Sequence, residues 1–336
     1  MTDNTWPTVD TELIDDVTLY SAKLIIPVTG PVIIDGAVAI HGDRVVHVGK
    51  RRWVLKALKQ EMTAHGTIHE RHWDGVLTPG LINAHTHLQY SGMVQVGQGT
   101  YDRFRAWELA FNEVYAEAQK TQPWKQWAED GARQMVESGT TAAADIVTDL
   151  DAAGALASQG MHGIAYWEVM GWHNAEWMEK GRTELIRQLR RMNEEQLPNL
   201  GISPHAPYTL ESEPFVDLPD IARQLNMRLH IHLAETPLEA GTYPPVLTTY
   251  SAADWSDHDW ESYRQLKEVG KGASAIQFVD QLGSLGPDVH IAHGVWANGV
   301  FYVSAAWAWP CAPDRIALPT PAKMHRCANT SRKAIW

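Results

Sequence analysis

Short apolar strands alternate with helix-like segments along most of this chain. The helix-like segments are Phe104–Gln119, Trp124–Ser138, Trp177–Glu195, Phe215–Leu225 and Trp260–Val269. The apolar segments read LINAHTH, TTAAADIV, GIAYWEV, LGISPH, RLHIHLAE and DVHIAHG, which makes six strands. This alternation predicts βαβ units built around a parallel sheet.

Each of these strands carries a polar or ionisable residue near its C-terminal end. A (β/α)8 barrel places its active site at that end of its strands. A doubly wound open sheet shares the alternation, but no glycine-rich phosphate loop follows the first strand. We therefore predict an α/β fold, a (β/α)8 TIM-type barrel that is incomplete at its C-terminus. The predicted domains are a small N-terminal β-segment (residues 1–78), the barrel (residues 79–297) and an aberrant tail (residues 298–336).

The charge balance argues against two kinds of partner. The chain holds 28 Lys and Arg against 40 Asp and Glu, a formal net charge of −12. It therefore lacks the basic surface that nucleic acid or an anionic membrane requires. Its first residues are acidic and polar, unlike a secretory signal, and no apolar run approaches the roughly 18 residues of a membrane span. We expect a cytoplasmic protein with a small-molecule substrate; a homo-oligomer is compatible with the sequence.

His85 and His87 stand two residues apart at the end of an apolar strand. Residues i and i+2 of a strand point to the same side, so two imidazoles can converge on one cation. Taken alone, His-x-His is a weak signal, because a chain with 16 histidines produces chance pairs.

His232 ends another strand, and Glu235 follows three residues later. An imidazole can be a third metal ligand, and a carboxylate beyond it can move a proton between water and a leaving group. His230 lies on the same face as His232, so periodicity does not choose between them, and either can be a hydrogen-bonded core histidine instead.

Other strand ends carry candidates for contact with the substrate or with the attacking water. His293 closes the segment DVHIAHG, and His205 lies between two prolines that restrict its loop. A structural role is the alternative for His293, and a rigid turn is the alternative for His205. Gln89, Trp107 and Glu168 are further candidates for substrate contact, but core or surface packing is the expected role of each.

Six motifs occur in a fixed order between residues 17 and 297. They read DGAVAIHGDRVVHVG, LTPGLINAHTHLQ, ESGTTAAADIV, SPHAPYT, LHIHLAET and HIAHGVW. In these motifs the chain resembles the amidohydrolase superfamily, in the deaminase and chlorohydrolase branch that includes S-adenosylhomocysteine and aminofutalosine deaminases. The resemblance implies a barrel whose N-terminal β-segment forms part of a β-sandwich.

The resemblance also assigns roles. It implies metal ligands at His85, His87 and His232, a proton-shuttling acid and base at Glu235, and a water-orienting imidazole at His293. It places His205 at a position that often touches the substrate. It implies one divalent metal ion, expected to be Zn, with Fe, Ni and Mn also compatible. The implied reaction is hydrolytic deamination of an amino-substituted heterocycle or nucleoside-like substrate by metal-activated water.

The tail departs from the family pattern. After HIAHGVW the family continues with an HCPxSN-like strand and a GTD segment, whose aspartate completes the metal site, and neither occurs here. A shifted reading frame near Asn298 is one explanation, because Ala308–Arg315 read one frame over can resemble the family. We expect weaker metal binding and little turnover without that aspartate. Hydrolysis of C–Cl or cyclic amide bonds, and a truncated non-catalytic fragment, remain as alternatives.

Overall fold

The computed structural model describes residues 13–195, 197, 199–240 and 265–297. The chain divides into two compact units, Met1–Leu81 and Ile82–Trp336. The tail predicted from residue 298 and the first part of the predicted helix Trp260–Val269 lie outside the described residues. Among the described residues, no helix combines the length and apolar character that a membrane crossing needs.

The first unit is a four-stranded sheet with one helix. Its elements are β1 (Ile14–Ile25), β2 (Ile33–His41), β3 (Arg44–Lys50), α1 (Arg51–Glu61) and β4 (Met62–Leu77). The strand order is β3-β2-β1-β4, in which β1 pairs antiparallel with β2 and parallel with β4. Val17 and Leu19, two residues apart on β1, are buried with Val54 and Leu58 of α1. The alternating pattern of β1 thus gives the unit its apolar face.

An ion pair fastens α1 to β4 within this unit. Arg51 donates to both carboxylate oxygens of Glu70 at 2.6 and 2.5 Å, and Ser21 Oγ donates to Glu70 Oε1 at 2.6 Å. The hydrogen bond from Arg51, more than any other contact, lowers the pKa of Glu70 from 4.5 to about 2. A carboxyl whose pKa is lowered by folding stabilises the fold above its unfolded pKa, and this contribution disappears as the pH falls towards the folded pKa.

We therefore expect Glu70→Gln to lower the free energy of unfolding by about 1 kcal/mol at pH 7, a modest value because the pair is partly exposed to water. The difference from wild type should shrink between pH 4.5 and 2. Urea unfolding at several pH values measures it, with Glu184→Gln on an exposed helical surface as the matched control. A difference that stays constant over this range would contradict the assignment.

The second unit alternates strands with helices. Its strands are β5 (Leu81–Thr86), β6 (Thr140–Val147), β7 (His162–Val169), β8 (Leu200–Pro204), β9 (Arg228–Leu233) and β10 (Val289–His293). Its helices are α2 (Val94–Gly97), α3 (Phe104–Ala118), α4 (Trp124–Glu137), α5 (Ala155–Ser158), α6 (Asn174–Glu176), α7 (Arg182–Glu194), α8 (Ser212–Gln224) and α9 (Ala275–Gln281). π-Helical turns occupy Trp177–Gly181 and Gln265–Val269.

The six strands form one sheet that bends almost into a closed barrel. Their order is β10-β9-β8-β7-β6-β5, and the consecutive pairs from β6 to β10 are parallel. His85 on the edge strand β5 lies 3.1 Å, Nδ1 to Nε2, from His230 on β9. Strands from opposite sides of the sheet can meet in this way only if the sheet curves round. The α/β barrel predicted from the alternation is therefore confirmed.

Apolar helix faces cover the outside of the strands. Phe215 and Leu218 of α8 are fully buried in the same cluster as Ile202 of β8 and Leu229 of β9. A second cluster packs Trp124 and Ala128 of α4 against the start of the barrel. Burial of such large apolar side chains contributes about 1.5–3 kcal/mol each. These buried contacts therefore stabilise the strands whose ends carry the candidate site residues.

The strand predicted at LINAHTH corresponds to β5, which starts at Leu81, and the preceding strand β4 ends at Leu77. Pro79 lies in the break, and proline lacks the N–H that a continuous strand would donate. This break sets where β5 begins and hence where its two histidines end.

Candidate active site

Backbone hydrogen bonds join the strand ends into a continuous rim. His205 N donates to Val169 O, His232 N donates to His205 O, and Gly294 N donates to Leu233 O, each at 2.9 Å. These bonds continue the ladder beyond the regular strands. Side chains from β7, β8, β9 and β10 are thereby held side by side at the carboxyl end of the barrel, where TIM-barrel enzymes place their catalytic groups.

Three imidazoles converge at this rim. His85 and His87 come from the end of β5 and His232 from β9, and one ligand atom from each lies within 4.8 Å of the others. His87 Nε2 and His232 Nε2 are 3.2 Å apart. The structure therefore brings together the three histidines that the family resemblance names as metal ligands.

The imidazoles are held in their neutral form. Burial, followed by the neighbouring imidazoles, lowers the pKa of His85 to about 3 and holds the pKa of His87 and His232 well below 6.5. Burial and the nearby His293 lower the pKa of His205 to about 4. A neutral imidazole is the form that binds a metal ion, so this environment prepares the ring nitrogens for ligation.

The orientation of the His87 and His232 rings also fits a metal ion. Among the described residues, the buried Nδ1 atoms of His87 and His232 have no hydrogen-bond partner. Their Nε2 atoms face each other instead. Two nitrogens that face each other with their other ring atoms buried are suited to a shared cation bound through Nε2. The donor set of three imidazoles thus fits a divalent metal such as zinc.

His230, which periodicity could not separate from His232, has different surroundings. Its Nε2 is 3.1 Å from His85 Nδ1, and its ring lies 4.4 Å from that of His290 and 5.0 Å from that of Tyr166, between centroids. It does not belong to the three-histidine group. The geometry favours His232 as the ligand and places His230 beneath it in the barrel.

Glu235 stands beside the cluster with both carboxylate oxygens facing polar groups. Tyr208 Oη donates to Glu235 Oε2 at 2.8 Å, and His293 Nε2 lies 3.5 Å from Glu235 Oε1. The ring centroids of His293 and His232 are 5.4 Å apart. A carboxylate and an imidazole predicted for proton transfer and for water orientation are therefore neighbours at the edge of the candidate metal centre.

The backbone at these two groups is strained. Ala234, next to Glu235, has φ of +55°, and His293 has φ of +68°. Both values fall in the left-handed region that residues other than glycine rarely adopt, and such strain concentrates at functional sites. At Ala234 the strain is held by Glu239, whose carboxylate accepts backbone N–H bonds from Ala234, Glu235 and Thr236 at 2.9–3.0 Å.

The remaining candidates occupy different positions around the rim. His205 has its ring 4.6 Å from that of His232, and its Nδ1 is 2.8 Å from Thr209 Oγ1. Gln89 is buried; its side-chain nitrogen donates a hydrogen bond to Thr148 Oγ1, and its side-chain oxygen accepts one from Thr148 N. Its proposed contact with the substrate stays a prediction. Trp107 lies on α3, half-buried, with its ring 5.4 Å from that of Phe104.

Two buried carboxyl groups complete the surroundings. Asp145 Oδ1 accepts a hydrogen bond from Leu88 N at 2.9 Å, and burial raises the pKa of Asp145 to about 8. Asp145 thus ties the turn after His87 to β6. Burial likewise raises the pKa of Glu168 to about 8. Glu168 lies between His205 and His232, and its Oε1 is 3.9 Å from a ring nitrogen of each.

Sequence reasoning missed Tyr208 and Glu239. Tyr208 was present in the motif SPHAPYT, but nothing in that motif shows that its hydroxyl reaches Glu235. Glu239 did leave a readable signal, because Thr236 to Glu239 follows the capping-box spacing of a threonine and a glutamate three residues apart. That spacing, directly after Glu235, could have identified the group that holds the loop.

Comparison with known proteins agrees with this geometry. The amidohydrolase family profile matches residues 76–241. A 5-methylthioadenosine/S-adenosylhomocysteine deaminase of Thermococcus kodakarensis is 29% identical over 229 residues, which are 66% of this chain and 47% of that protein. A 5'-deoxyadenosine deaminase of Methanopyrus kandleri is 28% identical over 229 residues, 66% of this chain and 46% of that protein. The chain thus spans about half the length of these curated relatives.

A solved structure shares the fold. An adenosine deaminase from Xanthomonas campestris with bound zinc superposes with a TM-score of 0.58 at 19% identity, covering 95% of this chain and 61% of the other. At this identity the likeness concerns the fold. Together with the motif order and the deaminase relatives, it leads to one conclusion: residues 76–241 match the amidohydrolase family, and the chain is similar to deaminases.

Proposed function

We propose that this chain is a metal-dependent aminohydrolase that replaces the amino group of an adenosine-like nucleoside with oxygen. The observation that carries the proposal is the meeting of the candidate ligands His85, His87 and His232 with the pair Glu235 and His293 at the barrel rim. The names of the curated relatives, which are nucleoside deaminases, support the substrate class. Whether the chain acts as a homo-oligomer stays a prediction.

Zinc is the proposed metal, held by His85, His87 and His232. Neutral imidazoles suit zinc, and the adenosine deaminase of similar fold binds zinc. When bound, such a metal activates water for attack at neutral pH.

The protein groups supply proton transfer and orientation. Glu235 accepts a proton from the attacking water and delivers it to the substrate, so that the carbon–nitrogen bond breaks, ammonia leaves and the water oxygen stays on the ring. Tyr208 holds the Glu235 carboxylate from one side, and His293 lies within reach of the attacking oxygen from the other. His205 is placed to contact the substrate near His232.

An aromatic path leads from this site to α3. Phe104 lies 5.9 Å from Tyr208, edge to face, and Trp107 lies 5.4 Å from Phe104, both between ring centroids. Flat aromatic surfaces of this kind bind flat heterocycles by stacking. We assign Trp107 and its neighbour Phe104 to the substrate base, which agrees with the contact proposed for Trp107 from the sequence.

Ammonia release from the zinc-loaded chain tests the proposed function. With 5'-deoxyadenosine or adenosine as substrate, we expect slow release above the buffer background, and we expect a chelator to remove it. The matched substrate is 6-chloropurine riboside, from which chloride release reports hydrolysis of a C–Cl bond. Faster chloride release than ammonia release would replace the proposal with the chlorohydrolase alternative. Release of neither product would leave the non-catalytic alternative.

A further inference from the structure

We propose that Glu168 is a positioning residue that accepts a hydrogen bond from His232 Nδ1 and thereby turns His232 Nε2 towards the metal position. The inference rests on the proposed function, because it assigns a role in ligand orientation to a residue that touches neither water nor substrate in that scheme. The Glu168 side chain is buried, with 3% of its surface exposed.

The first support is a pair of unsatisfied atoms. Among the described residues, Glu168 Oε1 and His232 Nδ1 are both buried without a hydrogen-bond partner. They lie 3.9 Å apart, about 1 Å beyond a hydrogen bond. A buried acceptor and a buried donor that are each left unsatisfied cost free energy, and a small side-chain rotation that joins them removes both costs.

The second support is the backbone that carries them. Glu168 is on β7 and His232 on β9, and the bonds from His205 N to Val169 O and from His232 N to His205 O fix the three strand ends side by side. Glu168 is therefore held in line with His232 by main-chain geometry, and only its side chain needs to move. Hydrogen bonds of this type are often long before the ligand is bound.

The third support is the difference between the two imidazoles that Glu168 faces. His205 Nε2 is also 3.9 Å from Glu168 Oε1, but the other nitrogen of His205 already contacts Thr209. His232 uses Nε2 towards His87, so its Nδ1 is the ring atom that needs an acceptor. A carboxylate on Nδ1–H fixes the tautomer and orients the ring, and it makes Nε2 a better ligand.

A second metal site is the competing explanation, because Glu168, His205 and His232 also have ligand atoms within 4.8 Å of one another. It would require His232 to bind metal through both nitrogens at once. An imidazole can do so only after losing its last ring proton. The buried, neutral environment of His232 disfavours such an anion.

Zinc affinity tests the inference directly. We expect Glu168→Gln to weaken zinc binding about 10-fold to 100-fold, as measured by competition with a chromophoric chelator. Glu168→Asp, which keeps the carboxyl group on a shorter side chain, should lie between that variant and wild type. Asp217→Asn is the matched control, because Asp217 also accepts from an aromatic ring N–H, that of Trp177 at 2.9 Å, but lies on α8 outside the cluster. Its affinity should equal that of wild type.

Ring-nitrogen NMR adds a readout that loss of packing would not move. In the zinc-loaded chain labelled with 15N-histidine, the Nδ1–H signal of His232 is identified by its absence from the His232→Ala variant. This signal should shift in Glu168→Gln but not in Asp217→Asn. Equal zinc affinity in wild type and both Glu168 variants would overturn this inference alone. Binding of two zinc ions per chain would overturn it in favour of the second site. A wild-type chain that holds no zinc would overturn it together with the proposed function.

Discussion

Replacing Glu235 by glutamine is expected to lower the rate of ammonia release about 1,000-fold while zinc affinity stays unchanged. The amide keeps the shape of the side chain, and its oxygen can still accept from Tyr208 Oη, which now lies 2.8 Å from Glu235 Oε2. It cannot take a proton from water at neutral pH, and general acid–base catalysis contributes roughly 10²-fold to 10⁴-fold to rates. Steady-state ammonia release and chelator competition on the same sample measure both quantities.

The matched control for this change is Glu184→Gln, the same substitution on an exposed surface of α7. It should release ammonia at the wild-type rate. If Glu235→Gln retains more than a tenth of the wild-type rate, Glu235 is not the proton carrier. If it loses zinc as well, the carboxylate acts as a ligand and the assignment of roles at the rim must change.

Tyr208→Phe provides a graded companion to that experiment. It removes one donor from Glu235 and keeps the ring that contacts Phe104 and His205. We expect a smaller loss, about tenfold, because a hydrogen bond to a charged group contributes about 1.5–3 kcal/mol, part of which water replaces. A loss as large as that of Glu235→Gln would indicate a direct role for the phenol in proton transfer.

Much of the fold was predictable because short apolar segments alternate with helix-length segments along the chain. The apolar segments marked the strands, and the helix-length segments marked α3, α4, α7 and α8. His85 and His87 could be paired from sequence because neighbouring side chains two apart on a strand share one side. The same rule could not separate His230 from His232, since both obey it. The choice between His230 and His232 depends on how the curvature of the barrel places each of them relative to the histidines of β5.

The part of the site that could not be predicted from the sequence depends on contacts between segments far apart in the chain. Tyr208 reaches Glu235 across 27 residues, and Asp145 reaches Leu88 across 57. No local pattern encodes which hydroxyl or which backbone N–H lies opposite a given carboxylate. The positive φ angles of Ala234, directly after β9, and of His293, the last residue of β10, likewise follow no local sequence pattern. Among the contacts of Tyr208, Asp145 and Glu239, only those of Glu239 were indicated by a local sequence pattern, namely its capping-box spacing.

Glu239→Ala is expected to have the largest effect on stability. Glu239 is fully buried, and its carboxylate accepts from the backbone N–H groups of Ala234, Glu235 and Thr236. The alanine variant leaves these donors buried without an acceptor. Each unsatisfied buried donor costs about 1–3 kcal/mol, so we expect the free energy of unfolding to fall by at least about 3 kcal/mol. Urea unfolding at pH 7 measures this loss.

The Glu239 variants also test how the strained loop controls Glu235. Glutamine keeps one oxygen acceptor, so Glu239→Gln should lose less stability than Glu239→Ala. Because Ala234 holds φ of +55° directly before Glu235, relaxation of this loop moves the carboxylate away from Tyr208 and His293. We expect ammonia release per folded molecule to fall in the same order as stability. A Glu239→Ala variant within 1 kcal/mol of wild type would show that the loop holds its strained conformation without this carboxylate, and Glu235 would then be positioned by Tyr208 instead.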